Sequence, residues 1–172
     1  PVGGYHLTND IAISCRTTLE AAEEAKVLFG NVGSTTMESE KVNMPSRSGS
    51  DVLTIESSEI RELVRDRMSE TLVLVMGKIK KAGLHRPPAA GIVFTGGTAK
   101  LPGLMELAEE ISHSPTRIGI PKYIAQMPEY ISDPSYATST GLLLWGVHSS
   151  GSDKTSTVKE EGRKSVANII RK

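Results

Sequence analysis

A short apolar run that ends in a pair of glycines constrains the fold of this chain more than any other stretch. Residues 91–95 read Gly-Ile-Val-Phe-Thr, which is typical of a buried, parallel strand, and the glycine pair follows directly. A helix is predicted over 102–112, another strand over 116–120 and a further helix over 133–147. Because strands and helices alternate, this half of the chain predicts an α/β fold. The Leu-Leu-Leu-Trp run at 142–145 is expected to pack in the core.

The first half of the chain adds three helices and a region of short strands. Helices are predicted over 5–14 and 19–29, where apolar residues recur at helical spacing and threonine and glycine supply a start and a stop. Residues 31–57 alternate weakly with a period of two and contain turn residues, which favours two or three short strands in a hairpin. The longest helix is predicted over 59–82, with Ser58 as its N-cap.

Composition excludes several classes of protein. With 172 residues, 38% of them hydrophobic and 23% charged, the chain can form one domain or two small lobes and is not disordered throughout. The lone cysteine, Cys15, excludes an intramolecular disulfide framework and a cysteine-based zinc site. No apolar run approaches the roughly 18 residues that span a bilayer. Zero net charge and 4% aromatic residues argue against nucleic acid as a partner.

Composition and charge change towards the end of the sequence. Residues 149–162 are rich in serine, glycine and charged side chains, which predicts a flexible linker. Residues 149–172 carry six basic and three acidic side chains, and this excess of +3 leaves −3 on residues 1–148. The zero net charge of the whole sequence therefore conceals a mildly acidic body and a basic tail.

The last ten residues can form a basic amphipathic helix, because apolar side chains recur there at helical spacing with cations around them. Such a helix can lie on an anionic membrane surface. The alternative is a frayed, solvated tail, since ten residues are marginal for a helix in water. The residues expected to contact a membrane are Arg163, Lys164, Val166, Ile169, Ile170, Arg171 and Lys172.

Two segments carry groups suited to a nucleotide. Gly96-Gly97-Thr98 follows the predicted strand, where glycines let a ligand approach backbone amides closely; the alternative is a tight turn between strand and helix. Glu23 and Lys26 share one face of a predicted helix. They can hold a nucleoside, or they can form an ordinary solvated ion pair.

The N-terminal segment offers a third candidate. Gly3-Gly4, together with Thr8 and Asp10, can approach phosphates or organise a metal-bound water; the alternative is a turn followed by polar residues at a helix end. The sequence starts Pro1-Val2-Gly3-Gly4 without an initiator methionine. We therefore expect the chain to be cut from a longer protein, whose remaining part holds other groups of the site.

Five segments together resemble the FtsA family of bacterial cell-division proteins, a branch of the actin/Hsp70 superfamily. Residues 93–104 (Val-Phe-Thr-Gly-Gly-Thr-Ala-Lys-Leu-Pro-Gly-Leu) resemble the adenosine motif of the whole superfamily. Residues 1–12 resemble the segment that follows the family's second phosphate loop, and residues 20–26 resemble its next helix. Residues 117–121 and 133–138 are similar to FtsA in particular. This combination favours FtsA over the related pilus-assembly protein PilM.

The resemblance covers the chain up to the predicted linker and implies its architecture. The expected fold is an actin-like (ribonuclease H-like) α/β lobe with a smaller α/β subdomain inserted, as a fragment of a larger protein. Residues 1–17 and 86–148 would form the nucleotide-binding subdomain of the large lobe, and residues 18–85 the smaller subdomain. The linker at 149–162 and the basic tail at 163–172 would follow.

The same resemblance implies a site for ATP with Mg²⁺. The matching positions are glycines near the phosphates, a Glu-x-x-Lys pair that holds base and ribose, and a Gly-Gly-Thr turn and a serine near adenosine. They are Gly3 and Gly4, Glu23 and Lys26, and Gly96, Gly97, Thr98 and Ser135. Val27 stands where Hsp70 proteins carry an arginine that contacts adenine. The phosphate loops and the Mg-organising carboxylate would lie upstream of Pro1, so we assign no catalytic or metal-binding residue and expect no ATP hydrolysis by this chain alone.

The resemblance also implies a cellular role. The protein would be an ATP-binding cell-division adaptor with at most slow ATPase activity, in which nucleotide acts as an assembly switch. It would form actin-like filaments, bind the tubulin-like protein FtsZ and other divisome proteins, and anchor the FtsZ ring at the septum. As a peripheral membrane protein it would lie on the cytoplasmic face of the inner membrane. The competing hypotheses are an Hsp70-like ATPase and a PilM-type pilus adaptor.

Overall fold

A computed structural model describes residues 2–34, 38–49, 51–84, 90–121 and 131–149. The strands are β1 (Lys41–Pro45), β2 (Val52–Glu56), β3 (Ile92–Phe94) and β4 (Thr116–Ile118). The helices are α1 (Gly4–Ser14), α2 (Leu19–Phe29), α3 (Ser57–Lys81), α4 (Leu104–Ser112) and α5, which covers residues 137–149. Short 3₁₀ turns cover Gly97–Lys100 and Pro134–Tyr136.

Local sequence signals set the bounds of α2. The side-chain oxygen of Thr18 accepts a hydrogen bond from the backbone N–H of Ala21 at 3.2 Å, which satisfies one of the free amides at the helix start. Gly30 follows the last helical residue, and its N–H donates to the carbonyl of Lys26 at 2.9 Å. The predicted helix over 19–29 is therefore confirmed at both ends.

The strands β1 and β2 form the predicted antiparallel hairpin, and β2 runs directly into α3. The predicted N-cap at Ser58 is wrong, because α3 already begins at Ser57 and its N-cap position is Glu56, without a side-chain capping bond. The buried hydroxyl of Ser57 instead accepts the N–H of Glu40 at 3.0 Å and so ties the start of α3 to the residue before β1. The possible third strand at 35–37 lies outside the described residues.

The strands β3 and β4 pair in parallel, with Ile92 opposite Thr116 and Phe94 opposite Ile118. This pairing confirms the predicted α/β arrangement, although β4 ends two residues earlier than expected. The expectation that β3 is buried is wrong, since Val93 is 46% exposed. A sheet that has only two strands in the described part of the chain leaves much of both strands uncovered.

One hydrophobic core joins α1, α2, α3 and α4 with β1. The helix α1 packs against both α2 and α3, and α3 packs against α4. The side chains of Ile11, Ile60 and Leu104 are almost completely buried at the centre of this core. The core draws on residues of both predicted subdomains, and it holds the start of α1 and one face of α2 beside the turn that follows β3.

The helix α5 is apolar but not buried. Leu142, Leu143 and Trp145 are 64, 60 and 71% exposed, so the prediction that this run packs in the core is wrong. Thr140 is the buried residue of this helix in the structure. Apolar composition alone does not show whether a helix packs against another element. Within the described residues, no helix combines the length and the apolar character that crossing a bilayer requires.

Of the predicted linker and basic tail, the structure describes only Ser149. Ser149, where the linker was predicted to begin, is still helical. The rest of the linker and the predicted basic tail, including all seven residues expected to contact a membrane, lie outside the described residues.

Candidate functional site

A cleft of about 670 Å³ lies between the start of α1, one face of α2 and the turn after β3. Six of the eight positions predicted to contact nucleotide line it, although they come from four separate parts of the sequence. The lining residues are Gly4, Tyr5, Leu7, Glu23, Lys26, Val27, Gly97, Thr98, Lys100, Leu101, Pro102 and Ser135. The fold thus brings most of the residues that were predicted to contact nucleotide together in one cleft.

The other two predicted positions, Gly3 and Gly96, do not line the cleft but shape the backbone next to it. Gly3 is the N-cap of α1, and its N–H donates to Nδ1 of His6 at 3.2 Å. Gly96 has a φ of 90°, in the region that favours glycine, and its N–H donates to the carbonyl of Pro134 at 2.9 Å. Both glycines therefore act through local backbone geometry in this structure.

The two walls of the cleft come close together at Gly4. A Cβ atom at this position would lie 2.7 Å from Oγ1 of Thr98 and 3.8 Å from Nζ of Lys26. The first of these distances is far below van der Waals contact, so any side chain at Gly4 would displace Thr98. Glycine at the start of α1 is thus needed for close approach rather than for an unusual φ.

Glu23 and Lys26 form an ion pair on the cleft-facing side of α2. Lys26 Nζ lies 2.6 Å from Glu23 Oε2, and the lysine side chain is only 15% exposed while the glutamate is 51% exposed. Partial burial raises the pKa of Glu23, but hydrogen bonds from Lys26 and Thr8, with the positive charge of Lys26, outweigh it and lower that pKa below its ordinary value. The carboxylate is therefore charged at neutral pH and faces the cleft beside a largely buried cation.

The two polar residues of the N-terminal candidate, Thr8 and Asp10, lie in two separate places. Thr8 contacts Glu23 and Lys26, behind the cleft wall. Asp10 does not line the cleft, and its carboxylate forms an ion pair with Arg67 of α3. Residues two positions apart on a helix face different sides, which explains this divergence.

The 3₁₀ turn that carries Ser135 is held against the turn after β3. The carboxylate of Asp133 accepts a hydrogen bond from Lys100 Nζ at 2.9 Å and another from the backbone N–H of Ser135 at 2.8 Å. Ser135 Oγ lies near Gly97, 3.6 Å from where a Cβ of that glycine would stand. These contacts place the serine next to the glycine turn, although the two are far apart in sequence.

This arrangement predicts a pH effect on stability. The hydrogen bond from Lys100, followed by those from Ser135, lowers the pKa of Asp133 from 3.8 to about 2. A carboxyl group with a depressed folded-state pKa stabilises the fold above its unfolded pKa, and that contribution disappears as the pH falls from 3.8 to about 2. We therefore expect the melting temperature of the wild type to exceed that of Asp133→Asn at pH 6 and to converge with it near pH 2.

Thermal unfolding followed by circular dichroism between pH 6 and pH 2 measures this difference. Glu24→Gln is the control, because it removes one negative charge from an exposed position on α2. A constant difference between the wild type and Asp133→Asn across the whole pH range would contradict the prediction.

The sequence reasoning missed the apolar walls of the cleft. Leu7, Val27, Leu101 and Pro102 line it together with the exposed ring of Tyr5. Leu101 and Pro102 directly follow the glycine turn, and Val27 directly follows Lys26 on α2, so the places of all three in the sequence were usable signals. A concave site with apolar walls and a few converging polar groups is typical of a small-molecule pocket.

The polar groups of the cleft fit a ligand that carries both hydroxyl groups and hydrogen-bond acceptors. Glu23 is an acceptor for hydroxyl groups, Lys26 is a donor, and the glycine turn exposes backbone next to Thr98. Within the described residues, no group of three or more histidine, cysteine, aspartate or glutamate side chains could surround a metal ion.

Comparison with known proteins identifies relatives over most of the chain. The family model for "Cell division protein FtsA" matches residues 1–141. The cell division protein FtsA of Pseudomonas aeruginosa is 34% identical over 148 residues, which cover 86% of this chain and 36% of the relative. That of Escherichia coli K12 is also 34% identical, over 157 residues that cover 87% of this chain and 37% of the relative. The chain thus spans little more than a third of the length of these curated relatives.

Solved structures extend the comparison to the fold. MreB 5 of Spiroplasma citri bound to AMPPNP superposes with a TM-score of 0.65 at 18% identity, covering 90% of this chain and 46% of that one. The same protein bound to ADP gives a TM-score of 0.61 at 20% identity, covering 84% and 44%. At such identities the likeness concerns the fold alone. It confirms the expected actin-like α/β fold.

Proposed function

The chain belongs to the FtsA family of cell division proteins, and on that premise we propose that its cleft binds the adenosine part of ATP. One observation carries the proposal. Six residues that the sequence assigned to a nucleotide converge on one cleft, although they lie as far apart in sequence as Gly4 and Ser135. Convergence of this kind is what a binding site requires and what unrelated local turns and ion pairs would not produce.

Each group of the cleft has a role in this proposal. The Glu23 carboxylate accepts hydrogen bonds from the ribose hydroxyls, and Lys26 donates to the ribose or the base. Gly97, Thr98 and Ser135 approach the adenosine. The neighbouring apolar walls exclude water from the rings, which strengthens the polar contacts.

The phosphates of ATP would extend towards Gly3 and Gly4 at the start of α1, where the positive end of the helix dipole favours negative charge. Bound Mg²⁺ would neutralise part of the phosphate charge, and we assign no residue of this chain to it. We likewise assign no catalytic residue, so ATP binding is the proposal and ATP hydrolysis is not part of it.

For the whole protein we propose the role of its family. It would assemble into actin-like filaments, bind FtsZ and other divisome proteins, and hold the FtsZ ring against the cytoplasmic face of the inner membrane at the division site. The family match favours this role over the Hsp70-like and PilM-type alternatives. The negative body and the positive tail at 163–172 suit a protein whose tail meets anionic lipid.

Equilibrium dialysis with the purified chain tests the nucleotide proposal. We expect adenosine, ADP and ATP to bind with affinities within about tenfold of one another, because most of the proposed contacts are to base and ribose; a factor of ten corresponds to about 1.4 kcal/mol. GTP should bind more weakly than ATP. Equal binding of GTP and ATP, or no binding of adenosine and ADP at millimolar concentration, would contradict the proposal.

Co-sedimentation with liposomes tests the proposed tail. The full chain should sediment with vesicles that contain anionic phospholipid and remain in solution with zwitterionic vesicles. A chain that ends at residue 162 should sediment with neither. Undiminished sedimentation of the shortened chain would refute the membrane role of residues 163–172.

A further inference from the structure

Thr8 joins the two polar side chains of the cleft, although it does not line the cleft itself. It lies on α1 and is 2% exposed, while Glu23 and Lys26 lie on α2. Its hydroxyl oxygen accepts a hydrogen bond from Lys26 Nζ at 2.9 Å, and the same hydroxyl contacts Glu23 Oε2. Because Lys26 Nζ is also 2.6 Å from Glu23 Oε2, the three groups close a triangle.

The single hydroxyl proton of Thr8 has two possible acceptors. The carbonyl of Gly4 is 3.2 Å away, whereas the Glu23 carboxylate is nearer and carries a full charge. A charged acceptor forms the stronger hydrogen bond, so the proton goes to Glu23. Thr8 therefore acts as a donor to the carboxylate and as an acceptor for the ammonium group at the same time.

This triangle occupies only one oxygen of the Glu23 carboxylate. Both Thr8 and Lys26 contact Oε2, and within the described part of the chain no protein group donates to Oε1. A carboxylate accepts hydrogen bonds on both oxygens, so Oε1 remains for a ligand. Since the glutamate side chain is half exposed, packing alone does not hold this oxygen in one orientation.

We propose that Thr8 is a positioning residue that orients the Glu23 carboxylate to accept hydrogen bonds from the ribose hydroxyls of a bound adenine nucleotide. The inference rests on the proposed function, because it concerns the same cleft. Two fixed contacts from different directions hold Oε2, so Oε1 is oriented before the ligand arrives. Without Thr8, Glu23 keeps only Lys26 as a partner and must be ordered further during binding, which weakens the ribose contact.

Ribose selectivity measures this role. The dissociation constants of ADP and 2′,3′-dideoxy-ADP are compared for the wild type, Thr8→Val, Thr8→Ala and Thr8→Ser. We expect the wild type to prefer ADP by about tenfold, which is the effect of losing a hydrogen bond to a charged group. Thr8→Val and Thr8→Ala should reduce that preference to about two- to threefold with little change for the dideoxy nucleotide, and Thr8→Ser should restore it.

Valine matches the shape of threonine, and alanine gives a second hydroxyl-free variant if valine disturbs the fold. If Thr8 had only a structural role, the hydroxyl-free variants would bind both nucleotides more weakly by the same factor and would keep the wild-type selectivity. That result would overturn the proposal. Selectivity that stays tenfold in both hydroxyl-free variants would overturn it as well. A wild type that binds both nucleotides equally would exclude the ribose contact, whereas a wild type that binds neither would contradict the proposed function itself and this inference with it.

Discussion

Replacing Glu23 by alanine is expected to weaken ADP binding by about 10- to 100-fold while leaving the fold intact. A hydrogen bond to a charged group contributes roughly 1.5–3 kcal/mol, and each 1.4 kcal/mol corresponds to a factor of ten in affinity. The fold should tolerate the change because the glutamate side chain is 51% exposed and Lys26 Nζ keeps Thr8 Oγ1 as an acceptor at 2.9 Å. Isothermal titration calorimetry gives the affinity, and thermal unfolding gives the stability.

Glu24→Ala is the matched control for that variant. Glu24 is the next residue on α2, carries the same charge and is exposed, and it does not line the cleft. We expect its ADP affinity to stay within about twofold of the wild type, because a distant exposed charge is screened by salt. Equal losses of affinity in Glu23→Ala and Glu24→Ala would mean that the helix charge, and not the cleft carboxylate, attracts the nucleotide.

Replacing Gly103 by alanine should be the most destabilising of the substitutions considered. Gly103 precedes α4 with a φ of 79°, where an alanine costs about 1–2 kcal/mol. Its new Cβ would collide with the backbone nitrogen and Cα of Gly33 and lie 2.9 Å from the carbonyl carbon of Val32. Forcing extra atoms into packed structure costs a further ~1–3 kcal/mol. A total of about 2–5 kcal/mol corresponds to a fall in melting temperature of roughly 5–20 °C for a chain of this size.

The collision has consequences for the cleft as well. Val32 is fully buried, and its N–H donates to the carbonyl of Pro102 at 2.9 Å, next to the apolar wall. A displacement of residues 31–33 would therefore move Leu101 and Pro102. We expect Gly103→Ala to bind ADP less tightly than the wild type even at a temperature where it is folded.

Gly49→Ala separates the two causes of this destabilisation. Gly49 has a φ of 76°, but a Cβ added there meets no atom within 4 Å. It should therefore cost only the ~1–2 kcal/mol of the backbone conformation. Equal losses of stability in Gly49→Ala and Gly103→Ala, measured by urea unfolding, would exclude the collision as a cause.

The parts of the fold that sequence predicts well are those whose causes lie within a few residues. The helix α2 was predicted with its observed bounds because Thr18 and Gly30 supply its cap and its end locally. The N-cap of α3 was predicted two residues too late, at Ser58 instead of Glu56, because Ser57 and Ser58 look equally suited to cap a helix in the sequence. Only the position of Glu40, which bonds to Ser57, distinguishes them.

Burial and distant partners could not be predicted in the same way. Asp10 looked available to a ligand, but Arg67 lies 57 residues further along the chain and takes its carboxylate. The exposure of Val93 and of Trp145 depends on which surfaces are covered by other elements, and no local pattern records that. The candidate nucleotide-contacting positions could be proposed from the sequence because they belong to segments that resemble the family, whereas the cleft's apolar walls arise from how α2 and the glycine turn pack.

Titration of the isotopically labelled chain with ADP, followed by the shifts of assigned backbone amides, tests adenosine binding in this cleft most directly. Binding there predicts that the largest changes occur at Gly4, Glu23, Lys26, Gly97, Thr98 and Ser135. The amides of Ser14, Asp66 and Glu70, which line a separate cleft between α1 and α3, should stay unchanged. Changes that concentrate at that second cleft, or spectra that do not change at millimolar ADP, would contradict the proposed site.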